Sequence, residues 1–262
     1  MRIKPDHFIR FLILAVISIT MFSSCVPYKN LLYLRSEAEE DDTVKQKEIY
    51  PLNLSEYKVQ PGDNLYIRLL SVNEDLTEYI NTSGINTGYD ASIYLESYSV
   101  NDSGFITMPV IGEIYVNNMS LAQITDLIQK ELDKYLKEVA VIVKLVNFNI
   151  SVMGEVLAPG QYKIYQDQVN VFEVISMAGD MTPYAKRDNV VLIRQTQDGS
   201  VIFRLNLQDI SILESEQYYM QPNDIVYVEP VRGRNFLFTA FPYTLFFGSV
   251  TTVLLIMTYF KN

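Results

Sequence analysis

Tryptophan is absent from these 262 residues, and cysteine and histidine occur once each, as Cys25 and His7. A single cysteine cannot close an intrachain disulfide, so no covalent staple holds the chain together. Basic side chains are scarce as well: 21 Lys and Arg stand against 31 Asp and Glu, for a net charge of -10. Nucleic-acid binding rests on neutralising phosphates with Lys and Arg, and this balance argues against a nucleic-acid partner. What the chain does have is apolar residue runs at both ends with acidity between them. Phe8 to Phe22 is largely apolar, and Phe236 to Phe260 contains no formal charge.

The first run has the order of a processed export signal. Arg2, Lys4 and Arg10 stand before or within its start, an apolar region follows, and the small pair Ser23-Ser24 precedes Cys25. This order resembles the signal of a bacterial lipoprotein, whose cysteine becomes the acylated first residue of the mature chain. The resemblance implies a signal peptide at 1–24, lipidation of Cys25 and a lipidated acidic linker at 25–50. Val26 stands where an aspartate would retain such a lipoprotein at the inner membrane, so the implied destination is the outer membrane. Processing would leave 18 basic against 30 acidic side chains and would remove His7. With the thiol acylated as well, Ser-His-Asp catalysis, Cys-His catalysis and a zinc site built from those ligands are excluded. Asp102, Glu113 and Glu155 remain, but nothing in their spacing marks a catalytic pair. No enzyme activity, metal or cofactor is expected. The acidic run Glu37, Glu39, Glu40, Asp41 and Asp42 reads as a solvated spacer.

At about 1.5 Å rise per residue, a helix over the whole C-terminal run would span a hydrocarbon layer of about 30 Å. Residues 236–260 are accordingly predicted as a transmembrane helix. Thr244, Thr251 and Thr258 repeat every seven residues with Gly248 near the same side, a candidate pore-facing or helix-packing stripe.

Between the ends lies a body long enough for one core or two small ones. Leu65 to Leu70 reads as a strand after the Pro61-Gly62-Asp63 turn. Residues 71–91, rich in Asn, Thr, Ser and Gly, read as a long surface loop, and Ile93 and Leu95 as the start of an extended stretch reaching Val100. Asp102-Ser103-Gly104 then turns the chain into Phe105 to Met108, with Pro109 limiting how centrally that strand can sit. Ser120 with Gln123 predicts a capped helix start, and Leu121, Ile124, Leu127, Ile128, Leu132 and Tyr135 recur on one face. Val139 to Val146 is almost continuously apolar and reads as a well-covered strand. Phe148, Ile150 and Val152 alternate with polar or thioether neighbours; Gly154 and Ala158-Pro159-Gly160 break that run, and Gln161 to Ile164 resumes it. Asn170 with Glu173 forms a second capping pair, with Gly179 as the stop. Asp198-Gly199 separates strands at Val190 to Arg194 and Val201 to Leu205 as a hairpin turn would.

One internal echo stands out. Gln60-Pro61-Gly62-Asp63-Asn64-Leu65-Tyr66-Ile67 is answered by Gln221-Pro222-Asn223-Asp224-Ile225-Val226-Tyr227-Val228. Proline presets such a turn, Gly or Asn tolerates a left-handed residue after it, and Asp bonds nearby backbone amides. These aspartates are read as corner builders, not ligands.

Taken in order, the pieces resemble the outer-membrane polysaccharide export proteins with their soluble-ligand-binding (SLBB) β-grasp domain. Tyr57 to Asp63 looks like the opening of the export domain, Asp102 to Gly112 like its hairpin, Met119-Ser120-Leu121 like the helix start, and Val152 to Tyr162 like the entry to the β-grasp domain. Asp180 and Asn223 depart from glycines usual in that family. The resemblance implies an α+β chain with a polysaccharide-export domain at 51–147, one β-grasp (SLBB) domain at 148–230 and the C-terminal transmembrane helix at 236–260. It identifies Pro61, Gly62, Asp63, Pro159 and Gly160 as turn-forming motif residues. It further implies a ring of identical subunits, eight in number, exporting capsular or extracellular polysaccharide with an inner-membrane copolymerase linked to a tyrosine kinase. The alternative is a non-transporting lipoprotein that binds glycan or a partner through its β-grasp domain. The 19 tyrosines name no sugar contact, because Tyr57, Tyr66, Tyr162, Tyr218, Tyr219 and Tyr227 lie in or beside strand-like segments where half-buried packing is the default.

Overall fold

The computed structural model describes residues 28–35, 49–51, 56–71, 90–196, 199–231 and 243–259. Two larger sheets, each with its own apolar core, and a two-stranded hairpin organise them.

The first sheet has the order β2-β1-β5, with β1 at Asn64–Ser71, β2 at Tyr98–Ser99 and β5 at Val139–Leu145. Both pairings are antiparallel. Strand alternation sends Leu65, Ile67 and Leu69 of β1 and Val139, Val141 and Val143 of β5 to one face, where all six are buried. A helix covers that face: α2 at Leu121–Leu132 inserts Ile124, Ile128 and Leu132, each fully buried. Burying a side chain of this size contributes roughly 1.5–3 kcal/mol, so this stripe holds helix and sheet together. Ser120 caps α2 by accepting from the Gln123 amide, and the Gln123 side chain accepts from the Ser120 amide in return. The hairpin β3 (Phe105–Met108) and β4 (Gly112–Tyr115) closes the core through Ile106, Met108 and Ile114.

Three expectations change here. Ile93 and Leu95 belong to a short helix, α1 at Asp90–Leu95, and not to an extended stretch. Both side chains are exposed, so their i,i+2 spacing records no strand burial. Tyr135 lies beyond the end of α2 and is exposed. Strand β5 is covered on one face only: Ala140, Ile142 and Lys144 point outward beside Leu70, Arg68 and Tyr66 of β1.

The second sheet runs β7-β6-β10-β8-β9: β6 at Asn149–Gly154, β7 at Gly160–Lys163, β8 at Ala185–Thr196, β9 at Gly199–Leu205 and β10 at Ile225–Pro230. Its central pair, β6 and β10, is parallel, and the other neighbours are antiparallel. A short helix, α3 at Val171–Met177, packs Val171, Val174 and Ile175 into the core formed by Ile150, Val152, Leu192, Val226 and Val228. Asn170 and Glu173 make a reciprocal cap at its start. Gly179, at φ +76°, ends it, and the Asp180 amide reaches back to the Ile175 carbonyl. Gly154 is required at the end of β6, because its φ is +93° and a Cβ there would stand 2.0 Å from the Val228 carbonyl oxygen.

The residues before the body form a strap on this second unit. Tyr28–Leu31 is a 3₁₀ turn, the Leu34 and Arg35 amides donate to the Leu207 and Gln208 carbonyls, and the Ile210 amide donates to the Arg35 carbonyl. Tyr33 packs edge-on to Phe172, donates its hydroxyl to Asp180 and lies beneath the buried Arg187 guanidinium, 5.1 Å from the ring centre.

The C-terminal expectation is corrected. The helix α4 covers Tyr243–Tyr259, 17 residues, which is about 25 Å. No helix among the described residues is long and apolar enough to cross a membrane. The described part of the run falls short of the 25 residues counted, and the sequence itself argues against one continuous helix, since proline, here Pro242, suits a helix's first turn and disfavours helical geometry in the residue before it. Among the described residues the fold is therefore α+β without the predicted transmembrane helix.

Candidate functional site: the cleft between the two units

The two echoed segments build the same corner twice. In the first, Gly62 has φ +90°, the Asp63 amide donates to the Gln60 carbonyl at 3.1 Å, and the Asp63 carboxylate accepts from the Gln60 amide at 2.9 Å. In the second, Asn223 has φ +65°, the Asp224 amide donates to the Gln221 carbonyl at 3.2 Å, and the Asp224 carboxylate accepts from the Gln221 amide at 2.7 Å. Both are Pro-led turns with a left-handed third residue.

What surrounds each carboxylate differs. Asp63 also accepts from the Tyr57 hydroxyl at 2.7 Å and from Asn147 Nδ2 at 3.3 Å. Burial pushes its carboxyl up, against the pull of the Gln60 amide, Tyr57 and Asn147. Tyr57 is pushed up too, by burial first and then by the Asp63 charge, and the Asp224 charge reaches it as well. Asp224 instead receives Arg194 in a fork, Nε at 3.0 Å and Nη2 at 2.7 Å, with both side chains buried. Burial still pushes the Asp224 carboxyl up, with Arg194 pulling the other way.

The first corner bonds the short segment that joins the sheets, and the second bonds the residue of β6 that follows it. Asn147 Oδ1 accepts from the Asn64 amide at 3.1 Å, while the Asn149 carbonyl accepts from the Asn223 amide at 2.8 Å. Beside this segment lies a cleft of about 630 Å³, lined from one side by Tyr66 and Leu121 and from the other by Tyr165, Gln166, Gln168 and Gln221. Lys144 of β5 crosses it to Asp167 at 2.7 Å. That pair is exposed, and such pairs are worth about 0–1 kcal/mol, so it marks the junction more than it secures it. Among the described lining residues the charges are Glu56, Lys144, Lys163 and Asp167, two of each sign.

Of the residues named in the sequence, Tyr57, Tyr66, Tyr219, Gln221 and Pro222 line this cleft, whereas the candidate site residues do not converge on it. Pro61, Gly62 and Asp63 form the first corner, near it; Pro159 and Gly160 enter β7, where the Tyr162 hydroxyl donates to the Ala158 carbonyl. Cys25, like residues 71–91 for the most part, lies outside the described residues. Thr244, Gly248, Thr251 and Thr258 lie on α4, exposed, and Thr251 and Thr258 donate to their own helix carbonyls at Phe247 and Leu255. Asp102 and Glu113 are exposed in separate elements, and Glu155 is buried accepting from the Thr182 hydroxyl at 2.8 Å. No group of three metal-ligating side chains occurs among the described residues. Sequence reading missed the cleft, because Gln166, Gln168 and Gln221 carry no local signal; the Gln shared by the two echoed corners was the nearest hint.

Two comparisons bear directly on this architecture. The sequence model of the family described as polysaccharide biosynthesis/export protein matches residues 52–146. A second, described as SLBB domain, matches residues 149–228. The chain belongs to the outer-membrane polysaccharide export protein family. The matches fall on the two sheets in turn and leave 147–148 between them, where the first corner bonds Asn147 while the second bonds the adjacent Asn149 at the start of β6. In this family member the cleft therefore separates an export domain from an SLBB domain. Its general function is that of the family, in polysaccharide export at the outer membrane and periplasm.

Proposed function

We propose that this chain is a subunit of a homo-oligomeric conduit that moves a capsular or extracellular polysaccharide from the periplasm to the cell surface. The observation that carries the reading is the ordered pair of an export domain and one SLBB domain, with the two corners bonded to Asn147 and Asn149 at their junction. Acylation of Cys25 ties the protein to the outer membrane with the body in the periplasm. Tyr28 stands three residues from Cys25 in sequence, and the segment it begins is bonded to the SLBB domain. A lipid at Cys25 would hold that domain, not the export domain, nearest the bilayer. The family resemblance supplies the remaining parts: eight subunits in the ring and an inner-membrane copolymerase linked to a tyrosine kinase as partner.

Deleting the gene and restoring it on a plasmid tests the transport role. The expected outcome is loss of surface polymer with periplasmic accumulation, reversed by the wild-type copy; unchanged surface polymer in the deletion strain would reject the reading. Imaging of detergent-extracted protein is expected to show rings, and a uniformly monomeric particle would reject the oligomer. Labelling with a fatty-acid analogue is expected to disappear in Cys25→Ser; undiminished labelling would exclude Cys25 as the attachment point.

A further inference from the structure

The cleft offers an unusual set of groups for a surface of net charge -10. Its volume of about 630 Å³ lies within the ~300–1,000 Å³ typical of small-molecule sites. Its four charged lining residues cancel, and one pair of them, Lys144 and Asp167, is already bonded across the junction. Among the described lining residues there is thus no excess of positive charge to attract a phosphate or an acidic peptide. The side-chain amides of Gln166, Gln168 and Gln221 make no hydrogen bond among the described residues. Each presents both a donor and an acceptor. Two tyrosines line the cleft, one from each domain: Tyr66 on the outward face of β1, and Tyr165, which is 76% exposed and has the Lys163 ammonium over one ring face at 5.8 Å, leaving the other for a ligand. Apolar ring faces, uncommitted amides and zero net charge together suit a ligand whose surface alternates C–H faces with hydroxyl groups.

We infer that the cleft between the export and SLBB domains binds a short stretch of the exported glycan, with Tyr66 and Tyr165 against sugar ring faces and Gln166, Gln168 and Gln221 hydrogen-bonded to hydroxyls. This rests on the export reading above for the identity of the glycan. A ligand seated there touches both domains beside the residues their corners bond, so binding stiffens the junction.

The absence of tryptophan provides the assay. In full-length detergent-solubilised protein, Tyr165→Trp places a single indole at the cleft. Oligosaccharides released by partial hydrolysis of the producing cell's own surface polymer serve as the probe, with calorimetry on the unmodified protein in parallel. A saturable emission change is expected, matched by heat of binding in the unmodified protein. Gln166→Ala combined with Gln221→Ala is expected to weaken it about tenfold, the loss of a net hydrogen bond or two. Raising salt from about 0.05 to 0.5 M should leave the affinity unchanged, because no charge attraction is involved. Overturning results are no binding by either method, equal binding by the double glutamine variant when its circular dichroism and melting match the unmodified protein, or steep loss with salt. Failure of binding in a protein that restores export rejects the cleft alone; surface polymer that persists without the gene rejects the export reading itself.

Discussion

At the first corner a buried carboxylate meets only neutral donors, Gln60, Tyr57 and Asn147, whereas at the second it faces the Arg194 guanidinium. The backbone motif is shared, yet the solutions to burying its charge are different. Neutral hydrogen bonds leave no new charge behind when broken. An ion pair does, since removing Asp224 strands a buried Arg194. Similar turn sequences thus produce junctions of unequal sensitivity, and the inequality is set by residues far away in the chain.

The sharpest way to break this comparison is to truncate each carboxylate. Asp224→Ala is expected to destabilise the protein by about 3–5 kcal/mol, the cost of an uncompensated buried charge. Asp63→Ala should cost about 1–3 kcal/mol, the cost of unmet buried hydrogen bonds. Denaturant unfolding measures both, and an equal or larger loss at Asp63 would refute the distinction. Replacing Arg194 and Asp224 together by Met and Leu should recover most of the Asp224→Ala loss, because the stranded charge is gone.

The strap adds a pH-dependent contrast between the units, since it is bonded to the SLBB domain. Burial and the hydrogen bond to Asp180 push Tyr33 up to about 12, with Arg187 pulling it down. The folded form therefore holds the phenol proton more tightly than the unfolded chain, whose tyrosines titrate near 10. Its contribution is complete below about pH 10 and is lost as pH rises through about 12. Melting curves should show a stability difference between wild type and Tyr33→Phe that shrinks across that interval. A constant difference would remove Tyr33 as the titrating link.

The smallest effect expected is that of exchanging Gly and Asn at the left-handed positions of the corners. No atom lies within 4 Å of a Cβ built on Gly62, so only its φ constrains the substitution. Exchanging Gly62→Asn and Asn223→Gly should each shift stability by less than about 1 kcal/mol, because both residue types tolerate this region. Gly62→Val should cost roughly 1–3 kcal/mol, as a β-branched side chain does not tolerate it. If Gly62→Asn proved as costly as Gly62→Val, side-chain volume and not φ would control the corner.

Much of the body was legible because its signals are local. Ser120 with Gln123 and Asn170 with Glu173 encode their caps within four residues, and each cap forms in both directions. The alternation of Ile150 and Val152 marks β6 correctly, since one sheet face is buried and the other is not. The same logic failed at Ile93 and Leu95, where apolar side chains two apart sit exposed on a helix. It also overstated the cover on β5, because an apolar residue such as Ile142 need not be buried. The C-terminal reading went wrong by counting apolar residues across Pro242 as one helix. Only fragments of the cleft, such as Tyr66 and the Gln221 corner, were legible and not their meeting, since its two walls come from segments about 100 residues apart, around Tyr66 and Tyr165.

By itself the sequence determined where helices start, which turns admit a left-handed residue, which strand faces are apolar and to which family the chain belongs. Each depends on neighbours a few positions apart or on ordered short motifs. Tertiary structure alone decided that the two corners bond Asn147 and Asn149 at the junction of the sheets, that Arg194 and not a neutral donor completes the Asp224 site, and that the strap lies on the SLBB domain. Those outcomes follow from how two cores bury their apolar faces, a sum over distant contacts that brings polar groups together without any local code for their meeting.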